Sequence, residues 1–334
     1  MRGAALFLAV LGLATGAASA RADVLLSGPT SNAGSYSSAQ LASIATAGDT
    51  VNAGGLTGIT LWGLLGGAAS SSPTSPIYGD ITTTTPSGDN GKNAILRYYV
   101  VGAGGGQASI VSLGEINPSF GGTSATPAFV AFQATGGSLL AQPELIVPGQ
   151  PTRDLSTLDN LQLTSVAAKA GVGGGESTTV TLSGNVANPG SYDQAALEAL
   201  TPVTGATVSS TTYTGTPLAS FIDATGDINT TIVDTVGTDG YDVAFALAEI
   251  DPAVGGNPQD LLAYASNGSD FPGAGVARTI FPGDNKHGRW MSNLYEVQVT
   301  DIPEPASASV LVAGLGLLGL LRRRTAGLPT RLRA

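Results

Sequence analysis

The sequence contains no cysteine and a single histidine, His287. Without cysteine the chain has no disulfide, no thiolate nucleophile and no thiolate metal ligand. One imidazole also excludes a zinc site built from several histidines and a pair of histidines acting as acid and base. Most classes of metalloenzyme are therefore excluded.

Charged and aromatic residues are scarce, at 11% and 6% of the 334 residues, whereas 42% are hydrophobic and 47 are glycine. This composition is globular and long enough for two domains. Abundant glycine with few aromatics favours short strands joined by tight turns, because glycine readily adopts the positive φ that turns need. A β-rich body is expected.

The net charge of −10 conceals a difference between the ends and the middle. Between Ala22 and Ile302 there are 7 lysines and arginines against 23 aspartates and glutamates, a net charge of −16. Such an acidic body disfavours nucleic acid as a partner, because phosphate backbones attract basic surfaces.

The N-terminus has the pattern of a secretory signal peptide over residues 1–22. Arg2 precedes the apolar run Ala4 to Leu13, and two small-x-small triplets, Ala18-Ser19-Ala20 and Ala20-Arg21-Ala22, follow it. Either triplet can be the cleavage site, and we favour cleavage after Ala22. The expected partners here are the Sec machinery and signal peptidase.

At the C-terminus Pro303-Glu304-Pro305 is followed by an apolar stretch, 306–321, and then by Arg322-Arg323-Arg324. The stretch predicts a single transmembrane helix, roughly 24 Å long. Arginines directly after it place that end in the cytoplasm and the body outside.

This arrangement of residues 302–334 resembles the PEP-CTERM sorting signal. The resemblance implies membrane retention, cleavage by an exosortase, and a final location in the cell envelope or outside the cell. The chain departs from the family pattern because it continues from Thr325 to Ala334 beyond the arginines. An uncut C-terminal anchor is the alternative.

Short blocks of the body recur in the same order, which predicts two tandem modules at about 23–166 and 179–300, joined by a glycine-rich linker at 167–178. The matched pairs are Val24-Leu25-Leu26-Ser27-Gly28 with Val180-Thr181-Leu182-Ser183-Gly184, Gly34-Ser35-Tyr36 with Gly190-Ser191-Tyr192, Leu113-Gly114-Glu115-Ile116-Asn117-Pro118 with Leu247-Ala248-Glu249-Ile250-Asp251-Pro252, and Val147-Pro148-Gly149 with Phe281-Pro282-Gly283.

Each module reads as strands with short helices. In the second, Gln194 to Leu200 predicts a helix with Asp193 as N-cap, and Gly190-Ser191-Tyr192 and Tyr213-Thr214-Gly215 predict turns. The expected class is α+β with a strand-dominated core.

The second module resembles the molybdopterin-binding oxidoreductase domain of the sulfite oxidase family. The resemblance is carried by stretches such as Ser183-Gly184-Asn185-Val186, Asp239-Gly240-Tyr241 and the Pro282-Gly283 to Arg289-Trp290 segment. The first module matches more weakly and has no counterpart of Arg289-Trp290. Because the family binds molybdenum through a cysteine, its catalytic role cannot be carried over to this chain.

The resemblance also places basic residues near a pterin pocket, and Lys286, His287 and Arg289 occupy that place. Three donors within four positions suit a phosphate, sulfate or acidic sugar. The alternative is a solvated loop in which Arg289 pairs with a carboxylate.

Three functions follow from these observations. The leading hypothesis is a non-catalytic protein of the cell surface or extracellular matrix, with exopolysaccharide as a candidate partner and no cofactor. The second is a module that binds a pterin or small anion. The third is a molybdopterin-dependent oxidoreductase.

Overall fold

A computed structural model describes residues 23–66, 94–121, 126–271, 273 and 275–303. Of these residues, 41% lie in strands and 17% in helices. The protein is therefore mostly β, and the predicted α+β class was wrong. The longest helix among the described residues, Ser38–Ile44, has only 7 residues, too few to form a layer of its own against a sheet.

In the first half of the chain, the described residues form two sheets from nine strands, interrupted by short helices. The strands are β1 (Val24–Ser27), β2 (Gly34–Tyr36), β3 (Thr50–Ala53), β4 (Leu56–Thr60), β5 (Tyr98–Gly104), β6 (Gln107–Ser112), β7 (Phe129–Ala134), β8 (Leu139–Ile146) and β9 (Asn160–Ser165). The helices are α1 (Ser38–Ile44), α2 (Leu61–Leu64) and α3 (Leu113–Ile116), with 3₁₀ helices at Ala94–Arg97 and Pro151–Arg153.

The second half forms two further sheets. Its strands are β10 (Val180–Gly184), β11 (Gly190–Tyr192), β12 (Val203–Val208), β13 (Thr211–Pro217), β14 (Thr231–Gly237), β15 (Asp242–Ala246), β16 (Leu261–Ser266), β17 (Ser269–Asp270), β18 (Arg278–Ile280) and β19 (Leu294–Asp301). The helices are α4 (Gln194–Glu198), α5 (Leu218–Ile222) and α6 (Leu247–Ile250), with 3₁₀ helices at Pro252–Val254 and His287–Arg289.

The two halves share one strand order. In each half we call the sheet that contains the first and last strands the larger sheet, because its strands together hold more residues; it runs β2-β1-β9-β5-β6 in the first half and β11-β10-β19-β14-β15 in the second. In both, the first strand pairs in parallel with the last, with Leu26 opposite Leu161 and Leu182 opposite Val297. The other sheet of each half runs β3-β4-β7-β8 in the first half and β12-β13-β16-β17 in the second, with β18 beside β16. A duplication of one module would produce this agreement.

The halves are packed against each other through a continuous apolar core. One apolar cluster joins Tyr99, Val101 and Ile110 of the first half to Ile232, Ala244 and Ala246 of the second half. We call this contact region between the two halves the joint. Beside the cluster, the Ile110 N–H donates to the Asn229 carbonyl at 2.9 Å. The joint therefore buries apolar surface from both halves, which stabilises them as one body.

The glycine-rich linker is fixed to the second half. The N–H groups of Val172 and Gly174 both donate to the Thr238 carbonyl at 2.8 Å. Gly171 has φ +66°, and a Cβ there would lie 2.4 Å from the Gly240 nitrogen. This close approach of two backbones requires glycine.

No helix within the described ranges is both long and apolar enough to cross a membrane. The transmembrane helix expected at 306–321 and the signal peptide at 1–22 lie outside those ranges. The transmembrane helix in the predicted fold class therefore has no support in the structure, and the fold is corrected to a mostly β body.

Candidate functional site

Several buried polar and charged side chains lie where the two halves meet. Helices α3 and α6 face each other there, and each carries a glutamate at its third residue, Glu115 and Glu249. Each is joined by an arginine that ends a 3₁₀ helix, Arg153 in the first half and Arg289 in the second. Both 3₁₀ helices follow a Pro-Gly pair, which turns the chain back toward the joint.

Arg153 is fully buried and pairs with Glu115 through two parallel hydrogen bonds. The Nη1–Oε1 distance is 2.6 Å and the Nη2–Oε2 distance is 2.9 Å. Arg153 also donates to the Gln150 side-chain oxygen and to the Ile110 carbonyl. A bidentate arginine–carboxylate pair is strong and directional, so this one fixes the 3₁₀ helix against β6 and α3.

Arg289 is buried in a similar way but pairs with two carboxyl groups. Its Nε and Nη2 donate to the two oxygens of Asp284 at 2.9 and 2.6 Å, and Nη1 donates to Glu249 Oε1 at 2.7 Å. The guanidinium also lies over the rings of Phe281 and Phe245, 4.9 and 5.4 Å from their centroids. Cation–π attraction adds to the ion pair at these distances.

Hydrogen bonds cross from one half to the other around these pairs. Ser112 Oγ donates to Glu249 Oε2 at 2.6 Å, and Gln150 Nε2 donates to the Ala248 carbonyl at 3.0 Å. The absence of a side chain at Gly114 leaves room for the Arg289 side chain, because a Cβ at Gly114 would lie 2.6 Å from Arg289 Cδ. The ionic groups are thus part of the joint itself.

The pKa values of the two glutamates are shifted in opposite directions. Burial raises the pKa of Glu249 well above its usual value, and although Arg289 opposes this, the nearby Glu115 adds to it. Burial would also raise the pKa of Glu115, but Arg153, the hydrogen bond with Glu249 and the charge of Arg289 together outweigh burial, so that pKa is lowered. The two carboxyl groups are hydrogen-bonded to each other. When only one of the two carboxyl groups is protonated, these opposite shifts favour the proton on Glu249.

A cavity of about 210 Å³ opens beside this network. Its wall includes Glu115, Glu249, Asp260, Asp284 and Arg289. Burial raises the pKa of Asp260 to about 8, although the charge of Arg289 opposes the shift. Two of these carboxyl groups, Glu249 and Asp260, therefore have pKa values that burial raises although both interact with Arg289.

The structure does not bring the three predicted basic residues together. Lys286 and His287 are exposed, and the His287 ring stacks on Trp290 with 3.8 Å between centroids. Of the three, Arg289 alone lines the cavity, and three of its five N–H donors are held by carboxyl groups. These residues do not fit a phosphate-bearing pterin, because no unpaired positive charge in the described cavity wall is left to bind its phosphate.

Sequence reasoning missed Arg153, Glu115 and Glu249 as members of the network. The first half has no sequence counterpart of Arg289-Trp290, yet Arg153 stands at the corresponding place after Val147-Pro148-Gly149. The signal that could have found the glutamates is the repeated Leu-x-Glu-Ile pattern of α3 and α6.

No set of three or more histidines, aspartates or glutamates within the described ranges is placed to hold a metal ion. Of the predicted sorting residues, Pro303 is described and exposed, and Glu304, Pro305 and Arg322 to Arg324 lie outside the described residues.

Comparison with protein families gives a result for the end of the chain. Residues 301–324 match the PEP-CTERM protein-sorting motif. No curated protein matches the chain, and nothing in the comparisons supports the oxidoreductase resemblance of the body. The chain therefore carries the C-terminal motif of an exported protein sorted by exosortase.

Proposed function

We propose that this chain is a non-catalytic protein of the cell surface or extracellular matrix, delivered there by exosortase-dependent sorting. The observation that carries the proposal is the pairing of Arg153 and Arg289 with carboxyl groups at the joint. The polar groups at the centre of the body hold its two halves together, and their donors and acceptors are directed at one another.

The same observation weighs against the other two hypotheses. A site that binds a pterin or small anion needs free donors, and the guanidinium of Arg289 already donates to Glu249 and Asp284. A molybdenum enzyme of the resembling family needs a thiolate, and the sequence has no cysteine. A mechanical or scaffolding role needs only a stably folded body and a sorting signal.

The sorting part is tested in a bacterium that carries an exosortase, with an antibody raised against the body. We expect a shortened chain in the envelope or medium of the wild type, and a full-length chain retained by cells that lack the exosortase. Replacing Pro303, Glu304 and Pro305 by alanine should reproduce the deletion. Thr330→Ala, which lies beyond the matched motif, is the matched control and should be processed normally. A full-length chain in every strain would contradict the proposal.

The non-catalytic part is tested on the exported protein itself. We expect its molybdenum and pterin content to be far below one per chain. Near-stoichiometric pterin, reduced by Arg289→Lys but not by Lys286→Arg, would overturn the proposal in favour of a cofactor site. Because this measurement does not involve the tail, its outcome is independent of the sorting experiment.

A further inference from the structure

A lysine of the linker reaches into the larger sheet of the second half. Lys169 lies against Asp234 on β14 and Glu296 on β19, which are neighbouring antiparallel strands. Its backbone N–H donates to Asp242 Oδ2 at 3.2 Å, which fixes the start of the side chain. Asp242 is in turn paired with Arg97 of the first half, at 3.2 Å. The lysine is therefore held from both ends.

The three side chains lie close together and are largely removed from solvent. Lys169 Nζ is 3.5 Å from Asp234 Oδ2, and it donates to Glu296 Oε1 at 2.7 Å. The side chains of Lys169, Asp234 and Glu296 are 20%, 6% and 23% exposed. The nitrogen of one lysine and the oxygens of two carboxyl groups thus meet at contact distance.

Asp234 has the features of a carboxyl group that is kept uncharged. Its Oδ1 is buried, and no hydrogen-bond partner for this atom exists among the residues that the structure describes. Burial raises the pKa of Asp234 to about 7, although Lys169 opposes the shift. Near neutral pH a large fraction of Asp234 is therefore the acid, which is more reactive toward an amine than the carboxylate.

We propose that Lys169 and Asp234 join in an intramolecular isopeptide bond, with Glu296 as the proton acceptor. Glu296 takes a proton from the lysine ammonium, and the free amine attacks Cγ of the Asp234 acid. The C–O bond of the tetrahedral intermediate breaks, and the hydroxyl leaves as water with the second nitrogen proton. The products are an amide, one water and a protonated Glu296, so atoms and charges balance.

Two physical effects favour this reaction in the folded chain. Holding the amine and the carboxyl carbon together replaces a bimolecular encounter by an intramolecular one, which strongly raises the rate. Burial also disfavours the separated ammonium and carboxylate, whereas the amide is neutral. The bond would give a cysteine-free exported protein the kind of covalent cross-link that disulfides supply elsewhere.

The test is mass spectrometry of the purified full chain after proteolysis. We expect a branched peptide that joins the segments around Lys169 and Asp234, lighter than their sum by one water. Finding both segments only as separate, unmodified peptides in the wild type would overturn the proposal, and it would show that the contact is an ordinary ion pair.

Three variants sharpen the test. Lys169→Arg keeps the charge but should give no branched peptide, because a guanidinium is not deprotonated in proteins. Asp234→Asn should lose ammonia instead of water and yield a branched peptide of the same mass as the wild type. Glu296→Gln should slow bond formation by about a hundredfold or more, as expected for loss of a proton acceptor. A branched peptide that persists in Lys169→Arg would contradict the assignment of Lys169.

Discussion

Ser112, the N-cap of α3 in the first half, donates its hydroxyl hydrogen bond to Glu249 of the second half at a distance of 2.6 Å. These residues are 137 positions apart in the sequence. The corresponding N-cap in the second half is Ala246, which makes no side-chain cap. The joint is therefore asymmetric at this point. Ser112 caps its own helix and also hydrogen-bonds to the other half of the chain.

Ser112→Ala should lower the free energy of unfolding by about 1–3 kcal/mol, because it leaves a buried carboxyl oxygen without its partner. Loss of the bond from the Glu115 N–H to Ser112 Oγ, at 3.1 Å, adds to this. Urea denaturation of the full chain measures the change. Ser156→Ala, at an exposed position, is the control and should change little; equal effects for the two variants would refute the role of Ser112.

Arg153→Met should be more destabilising, by about 3–5 kcal/mol, because it leaves the charge of Glu115 buried and unpaired. The double variant Arg153→Met, Glu115→Gln should recover part of that loss, since the unpaired charge is gone. A double-mutant cycle by denaturation gives the coupling. Additive effects would show that the two side chains do not act as a pair.

Asp260 should make stability depend on pH. Its folded pKa of about 8 lies above the usual value, so the folded state holds more protons than the unfolded state between pH of about 4 and 8. Stability from this group is present at low pH and is lost as the pH rises through that window, by up to about 1.4 kcal/mol per unit.

Asp260→Asn should flatten this part of the pH profile and be more stable than the wild type near pH 8. Thermal unfolding across a pH series measures it. Asp251→Asn, a change of the same kind at an aspartate of the same half that is only half-buried, is the control variant for the same pH series. A wild-type stability that rises between pH of about 6 and 8 in step with that of Asp260→Asn would contradict the prediction.

Gly114→Ala should cost about 1–3 kcal/mol, because its Cβ would lie 2.6 Å from Arg289 Cδ and would push the arginine from its carboxyl partners. Gly190→Ala places a Cβ no closer than 3.8 Å to any neighbour and is the matched control. Denaturation midpoints of the two variants should differ clearly, and equal midpoints would mean that Arg289 can move at no cost.

Local structure could be predicted where the signal is local. The helix expected after Asp193 forms at Gln194–Glu198, and the Asp193 side chain accepts from the Ala196 N–H at 2.9 Å. The expected turn Gly190-Ser191-Tyr192 is instead strand β11, which pairs with Val180 to Leu182. A three-residue strand is defined by its partner, so no pattern within those residues reveals it.

The site could be predicted only in outline. Each arginine lies 38 or 40 residues from the glutamate that it pairs with, and the cross-joint bond of Ser112 spans far more of the chain. Charge patterns in sequence reveal neighbours along a helix, not partners brought together by two sheets. The repeated Leu-x-Glu-Ile pattern indicated equivalent positions, but their meeting at the joint is a property of the tertiary fold.

The parallel pairing of β10 with β19 gives the C-terminal strand a part in the timing of export. The larger sheet of the second half cannot close until β19 has arrived, because β19 lies between β10 and β14. That strand ends at Asp301, the residue at which the sorting motif begins. A chain that is exported N-terminus first must therefore bring its sorting motif to the membrane before its body can finish folding. The complete fold and the sorting motif then become available at almost the same moment.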